Sequence, residues 1–299
     1  MKKIIFILIL SFAFGDSPWC GTVNHEHRNF ERIEYTFPQI MDSTHFRVHF
    51  TLDAVDSTFW NDSWMTHQST NEYATTVLEQ LEFTYSIYQE LGWSMPPIDC
   101  DESITDINNN QHCSNYGGNN LYDVYIGLVQ GPAAAVVPEN PNITLPYTGG
   151  LSSYMLFANG LGLYGSYDDL ASINYYIIAH EVHHAIEFSY GSYITGSPGS
   201  YVFHSWMLEQ SATFMENIVY PNAFHLRILL SNCNIETPLT SPQLGIYQSY
   251  PGALWQKFLV DYLNDDLIIR RVWESYGNRI TNQEDPITFF DIFNDEIMF

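Results

Sequence analysis

Basic side chains are scarce in this sequence of 299 residues: 10 Lys and Arg stand against 34 Asp and Glu, which gives a formal net charge of −24. A chain this acidic repels phosphate groups, so the composition argues against nucleic acid as a partner. It argues equally against polybasic attraction to anionic lipid. Hydrophobic residues nevertheless make up 45% of the chain. This is enough to build a buried core, so wholesale disorder is not expected.

The sequence also lacks an apolar run long enough to cross a bilayer, which takes about 20 residues. Its N-terminal apolar run covers residues 4–14, follows two lysines and ends beside the small residue Gly15. This pattern is typical of a secretory signal peptide. We therefore predict that residues 1–15 are a signal peptide, that the mature protein is secreted into the extracellular space or the periplasm, and that it has no membrane span.

Cysteine is rare as well, with four residues and no Cys-x-x-Cys pair, which argues against a cysteine zinc site and against thioredoxin-like chemistry. An even number of cysteines in an exported chain suggests disulfides. Cys100 and Cys113 bracket a polar loop, and a bridge between them would restrict a segment with no other source of order. We favour this pair, although with Cys20 and Cys233 the sequence leaves three connectivities open.

The pattern of apolar residues predicts an α+β chain in which most helices come late. Period-two alternation predicts a strand at 45–52, and apolar runs bounded by Asn and Gly predict strands at 121–129 and 151–158. Helical periodicity predicts helices at 71–91, 170–190, 205–220, 253–264 and 265–276. We predict one unit over residues 16–299, β-rich to about residue 165 and mainly helical after it.

One of these helices carries a metal-binding motif. Residues 180–184 read His-Glu-Val-His-His, which contains His-Glu-x-x-His. Positions i and i+4 of a helix lie on one face, so His180 and His184 can both bind one Zn²⁺ ion. Glu181 lies beside them, near enough to take a proton from a metal-activated water but not in line to ligate. The motif predicts one catalytic zinc with Glu181 as the catalytic residue.

A catalytic zinc site needs a third protein ligand. The metzincin motif would continue with Gly at position 187 and His at position 190, but this sequence has Glu187 and Tyr190 there, which excludes that class. Glu209, on the helix predicted at 205–220, is the ligand that we favour. Glu216 is the second choice, as a ligand or as the partner of a ligand. The alternative for Glu209 is an ordinary solvated helix glutamate.

Further residues are candidates for roles around the metal. Glu187 is expected to orient a ligand or to contact His183, which lies off the metal axis and is expected to pack or to lie at the surface. Thr213 and Glu216 share the helix face of Glu209. A hydrogen-bond donor must also stabilise the oxyanion that develops during hydrolysis. The candidates for this donor are His204, Tyr220, His225 and Tyr250.

A second metal is a weaker hypothesis. Ca²⁺ prefers oxygen ligands, and several acidic or amide side chains lie in or near the polar loop. No EF-hand spacing is present, so we interpret this segment as a solvated acidic loop rather than a calcium site. The residues concerned are Asp99, Asp101, Asp106, Asn108 and Asp123.

Two segments, HEVHHAIEFSY and WMLEQSATFMENIVYP, resemble a family of secreted bacterial zinc metallopeptidases of the gluzincin type. The resemblance covers roughly residues 120–265, from YDVYIG to YPGALWQKFL. It implies a zincin-like fold with a mixed sheet, an active-site helix and a mainly helical C-terminal part. It also implies that the metal and catalytic positions of the family are His180, Glu181, His184 and Glu209. Gln210 and Ser211 stand where the family usually has Gly and Thr.

Together, motif and resemblance predict a secreted zinc-dependent metalloendopeptidase that hydrolyses peptide bonds with a metal-activated water and Glu181 as general base. Its partner would be a protein or peptide substrate. By fold analogy, the strand predicted at 151–158 would be the sheet edge that pairs with an extended substrate. Two alternatives stay open: a non-catalytic surface or binding protein on a zincin scaffold, and a zinc hydrolase of a non-peptide amide.

Overall fold

The computed structural model describes residues 37–54, 57–60, 63–97, 105–106, 116–127, 134–138, 147–148, 152–159, 175–191, 205–222, 250–282 and 289–297. Over these ranges the chain is an α+β structure, as the sequence predicts, with strands first and five of six helices after them. The predicted signal peptide and all four cysteines lie outside the described residues. None of the described helices has the length and apolar character that a membrane crossing requires.

The strands are β1 (Gln39–Asp42), β2 (Phe46–Phe50), β3 (Ser57–Trp60), β4 (Ser63–Thr66), β5 (Thr105–Asp106), β6 (Tyr122–Gly127), β7 (Ala134–Pro138), β8 (Tyr147–Thr148) and β9 (Ser153–Ala158). Five of them form one mixed sheet in the order β1-β2-β6-β9-β7, and the others form two antiparallel pairs, β3 with β4 and β5 with β8. In the mixed sheet, β2, β6 and β9 are parallel, whereas β1 and β7 run antiparallel to their neighbours. The predicted strands at 45–52, 121–129 and 151–158 are confirmed as β2, β6 and β9.

The position of β9 corrects one prediction. β9 lies inside the sheet, hydrogen-bonded to β6 on one side and to β7 on the other. It is therefore not a free edge for an extended substrate. Among the described strands, the edge on this side is β7, whose residue Ala135 pairs with Leu156 of β9. The fold analogy misplaced the edge because the order of strands in a sheet is not the order along the chain.

The helices are α1 (Asn71–Glu90), α2 (Tyr175–Ser189), α3 (Ser205–Val219), α4 (Ala253–Leu263), α5 (Ile268–Asn282) and α6 (Phe289–Ile297), with short 3₁₀ helices at Tyr116–Gly118 and Tyr250–Gly252. The five predicted helices are confirmed as α1 to α5. The helix predicted at 265–276 begins at Ile268 and continues to Asn282. The helix predicted at 170–190 is described from Tyr175 onward.

Helix α1 has clear start and stop signals and a sharply defined apolar face. The Thr70 hydroxyl accepts a hydrogen bond from the Tyr73 N–H at its N-terminus. At the other end the chain passes Leu91 into Gly92, whose φ of +77° is the left-handed conformation that commonly ends a helix. Val77 and Leu81, one turn apart, are buried in the main core. Each such side chain contributes about 1.5–3 kcal/mol when fully removed from water.

The sheet is covered on both faces. On one face Val48, Val124 and Met155 join the main core with residues of α1 and α2. On the other face Tyr125 and Tyr154 pack in a smaller apolar cluster. Every described residue of β6 and β9 is buried as a result, which is why these strands read as near-continuous apolar runs.

Helix α2 lies at the centre of the structure. Its residues from Tyr176 to Phe188 are all buried, since α1 and the sheet pack against it on one side and α3 on the other. Helices α4, α5 and α6 complete the layer behind α3. A helix buried on all sides holds its polar residues away from water, so each must find a partner.

Candidate metal centre

Helices α2 and α3 bring three potential metal ligands together. The imidazole Nε2 atoms of His180 and His184 are 3.0 Å apart. A carboxylate oxygen of Glu209 lies 3.1 Å from Nε2 of His180, and the other oxygen lies 3.8 Å from Nε2 of His184. Among the described residues, this is the one group of three His, Cys, Asp or Glu side chains whose ligand atoms all lie within 4.8 Å of one another.

The geometry of this cluster fits a zinc ion. Zinc bonds to His and Glu are about 2.0–2.2 Å long, so ligand atoms in tetrahedral arrangement lie about 3.3 Å apart. The observed separations of 3.0, 3.1 and 3.8 Å fall on both sides of that value. Oε1 of Glu209 is buried and accepts no hydrogen bond from the described part of the chain. A bound cation would offset the cost of that buried, unsatisfied oxygen.

Each imidazole forms a hydrogen bond to a carboxylate through Nδ1, the nitrogen that faces away from the cluster. Nδ1 of His180 donates to Oε1 of Glu216 over 2.7 Å. Nδ1 of His184 donates to Oε2 of Glu187, also over 2.7 Å. A proton on each Nδ1 leaves the Nε2 lone pair directed into the cluster, which is the tautomer that a metal ligand requires. Glu187 and Glu216, both named from the sequence as residues near the candidate ligands, therefore each contact one of the two imidazoles.

Burial controls the charge of these groups. Complete burial lowers the pKa of His184 well below its ordinary value of 6.5, and the nearby His180 and His183 act in the same direction. His184 is therefore neutral at neutral pH and keeps its lone pair. Burial raises the pKa of Glu187 well above 4.5, although the hydrogen bond from Ser211 acts in the opposite direction. The negative charge at Glu187 thus depends on the donors around it.

The other two residues of the HEVHH segment have different environments. Glu181 follows His180 in α2 and is fully buried, so it lies in the same water-poor layer as the ligands. His183 packs between aromatic rings, 5.5 Å from the ring of Tyr88 and 4.7 Å from that of Trp93. Its Nε2 is 3.5 Å from Oε1 of Glu187, so Glu187 makes both of the contacts that the sequence suggests for it.

The structure separates the candidates for the oxyanion donor. Tyr250 lies in the 3₁₀ helix before α4, is buried, and has its ring 5.9 Å from the ring of His180. Tyr220 instead donates its hydroxyl to Gln80 of α1 over 2.9 Å and lies 3.2 Å from the Thr84 hydroxyl. Burial raises the pKa of Tyr220 to about 12. Tyr220 is therefore bound to α1 rather than placed at the cluster. His204 and His225 lie outside the described residues.

Thr213 and Asp123 are not among the three candidate ligands that the described residues bring together. Thr213 is buried in α3, and within the described ranges its hydroxyl makes no hydrogen bond. Asp123 lies in β6, where its carboxylate is 2.7 Å from Nε2 of the buried His49, so it belongs to the sheet rather than to the polar loop. Asp106 lies in β5. Asp99, Asp101 and Asn108 lie outside the described residues.

Two residues near the cluster were not recognised from the sequence as functional. Ser211 of α3 donates to Oε1 of Glu187 over 2.6 Å. Trp273 of α5 donates its indole N–H to the Ser211 hydroxyl over 3.1 Å. In the sequence, Ser211 is distinguished only as a departure from the gluzincin pattern. Trp273 follows the metal motif by many residues, and no spacing rule links the two.

Comparison of the chain with protein-family models, curated proteins and solved structures finds no match.

Proposed function

We propose that the protein is a secreted zinc-dependent metalloendopeptidase of the gluzincin type with a zincin-like fold. One observation carries the proposal: the buried cluster of His180, His184 and Glu209, in which a carboxylate holds each imidazole from behind. Two further features support it. Two of the three residues of the cluster lie on a His-Glu-x-x-His helix that packs against a mixed sheet. The N-terminal residues have the pattern of a signal peptide.

His180, His184 and Glu209 would hold a zinc ion, which would supply a Lewis acid that polarises the scissile carbonyl and makes a water more acidic. Glu181 accepts a proton from the attacking water and passes it to the leaving amine. The water oxygen forms a bond to the carbonyl carbon, the carbon–nitrogen bond breaks, and the products are a carboxylic acid and an amine. Tyr250, beside His180, is the described candidate to donate a hydrogen bond to the oxyanion.

Glu181 also favours an enzyme over a non-catalytic zinc protein. A metal that only stabilises a fold needs no general base beside its ligands, and burying an additional carboxylate there is costly. Glu181 is completely buried, so its presence in this layer needs a functional reason. Transfer of a water proton is such a reason. Hydrolysis of a non-peptide amide would use the same residues, and a panel of amide and peptide substrates separates the two activities.

The test combines metal analysis with hydrolysis of an unstructured protein. We expect one zinc per chain in the wild-type protein and in Glu181→Gln, and casein cleavage that a chelator abolishes. Glu181→Gln should reduce the cleavage rate by about 10²- to 10⁴-fold, the usual contribution of a general base. Glu79→Gln is the matched control, because the same change at an exposed position of α1 should leave the rate unchanged.

Either of two results would contradict the proposal. The first is a wild-type chain with less than one zinc, and the second is full activity in Glu181→Gln. One zinc per chain with no hydrolysis of any peptide or amide would support the non-catalytic alternative instead.

A further inference from the structure

A chain of three hydrogen bonds leads from the C-terminal helices to a metal ligand. The indole N–H of Trp273, in α5, donates to the hydroxyl of Ser211, in α3, over 3.1 Å. That hydroxyl donates to Oε1 of Glu187, in α2, over 2.6 Å. Oε2 of the same carboxylate accepts from Nδ1 of His184 over 2.7 Å. All four side chains are completely buried, so water does not compete for these bonds.

The direction of the middle bond follows from competition for one proton. The Ser211 hydroxyl lies 2.7 Å from the carbonyl oxygen of Met207, four residues earlier in α3, which is the usual partner of a serine inside a helix. It has only one hydrogen to donate. Because a carboxylate is a stronger acceptor than a peptide carbonyl, that hydrogen goes to Glu187. The N–H of Trp273 then occupies a lone pair of the same oxygen and fixes its orientation.

Trp273 is itself held rigidly. Its ring lies 4.9 Å from the ring of Phe289 in α6 and 5.6 Å from that of Tyr276 in α5. The ring of Tyr190, just after α2, lies 6.3 Å away. A buried indole that donates to a polar partner can be moved only together with its neighbours. The packing of α5 and α6 therefore holds the indole N–H against the Ser211 oxygen, and through Ser211 it bears on the Glu187 carboxylate.

We propose that Ser211 and Trp273 are positioning residues of the metal centre, which act through Glu187 to hold the His184 imidazole in the orientation for ligation. This proposal rests on the proposed zinc site. It makes the C-terminal helices part of the metal centre rather than an accessory layer. Residues of this kind typically change metal affinity by 10–100-fold when they are removed.

The test measures zinc affinity by competition with a chelator, together with the visible absorption spectrum of the Co²⁺-substituted protein. Ser211→Ala and Trp273→Phe should each weaken zinc binding about tenfold or more and alter the cobalt spectrum, which reports ligand geometry. Ser211→Thr keeps the hydroxyl and should restore both. The double variant should bind zinc no more weakly than Ser211→Ala alone, because both changes break one chain of bonds.

Trp206→Phe is the matched control. Trp206 is also a buried tryptophan, and its ring lies 6.3 Å from the same Phe289, but it lies outside the chain of bonds. Trp206→Phe should lower the melting temperature while zinc affinity and the cobalt spectrum stay as in the wild type. A melting curve of each zinc-free variant separates loss of folding from loss of metal affinity.

Zinc affinity and cobalt spectra that match the wild type in Ser211→Ala and Trp273→Phe would overturn this proposal, and so would equal losses in Trp206→Phe. The readouts do not depend on catalysis. A protein that binds zinc, cleaves nothing, and still loses affinity in the two variants would therefore support the positioning role and overturn the peptidase. A wild-type chain that binds no zinc would overturn both proposals.

Discussion

At the scale of single residues, the centre is notable for how many carboxyl groups it buries. Glu181, Glu187 and Glu209 are completely buried, and Glu216 is 2% exposed. A carboxylate removed from water is costly unless a cation or several donors compensate it. Part of this compensation is visible as the bonds from His180 and His184. A divalent ion between the imidazoles and Glu209 would supply the rest.

The bond between Glu216 and His180 leads to a prediction at this scale. In Glu216→Gln the side chain keeps its size and one oxygen acceptor but loses its charge. The His180 imidazole should then be a weaker ligand, because a charged acceptor behind it raises its basicity. We expect zinc affinity to fall about tenfold, measured by chelator competition, with Glu79→Gln as the exposed control. Unchanged affinity would show that Glu216 does not support the ligand.

At the scale of elements, ion pairs join the last two helices. Arg271 of α5 bonds to Asp265, in the turn before α5, at 2.6 Å and to Glu296 of α6 at 3.1 Å. Asp265 also accepts the Leu267 N–H over 3.1 Å, so it caps the start of α5. The hydrogen bond from Arg271 lowers the pKa of Asp265 below its ordinary value of 3.8, against the opposing effect of burial.

The stability of this corner should therefore depend on pH. A carboxyl group whose pKa is lowered by folding contributes stability above its unfolded pKa, and the contribution is lost as the pH falls through the folded value. Asp265→Asn should be less stable than the wild type near neutral pH. The difference should shrink as the pH falls below 3.8. Urea unfolding of both proteins over a pH series measures it.

The control for this pH series is Asp266→Asn, a change at the exposed neighbouring residue. Its difference from the wild type should be smaller than that of Asp265→Asn near neutral pH and should change less with pH. A gap between Asp265→Asn and the wild type that stays constant down to the lowest pH would contradict the role of the Arg271 bond.

At the scale of the whole molecule, acidic groups are in excess, with a net charge of −24, and several of them are buried at the candidate metal centre. Acidic surface groups repel one another and keep the protein soluble. The buried carboxyl groups add an internal cost that the proposed metal would relieve. Because a metal that binds only the folded state stabilises it by mass action, the zinc-free protein should be distinctly less stable than the zinc-bound protein.

Chelation should therefore lower the melting temperature. At a free zinc concentration about 100 times Kd the stabilisation is about 2.7 kcal/mol, which for a chain of this size corresponds to a shift of several degrees. Differential scanning calorimetry with and without chelator measures it. His184→Ala, which lacks a ligand, should melt at the same temperature in both conditions. Equal chelator effects in the variant and in the wild type would mean that the metal acts at another place.

The sequence by itself determined the features that depend on local geometry. Helical periodicity located α1 to α5. The i, i+4 spacing of His180 and His184 places their imidazoles on one helix face, whatever the tertiary contacts are. The helix predicted at 205–220 was enough to offer Glu209 as the favoured third ligand and Glu216 as the second choice. These inferences need only the 3.6-residue repeat, which belongs to each helix alone.

Only the tertiary structure decided how distant segments meet. It placed β9 inside the sheet rather than at its edge. It bound Tyr220 to α1, while Tyr250 lies beside His180. It also joined Trp273 to Glu187 through Ser211. Strand order and interhelical hydrogen bonds depend on which elements pack together. That packing is settled by burial over the whole chain, and no repeat within a single helix or strand encodes it.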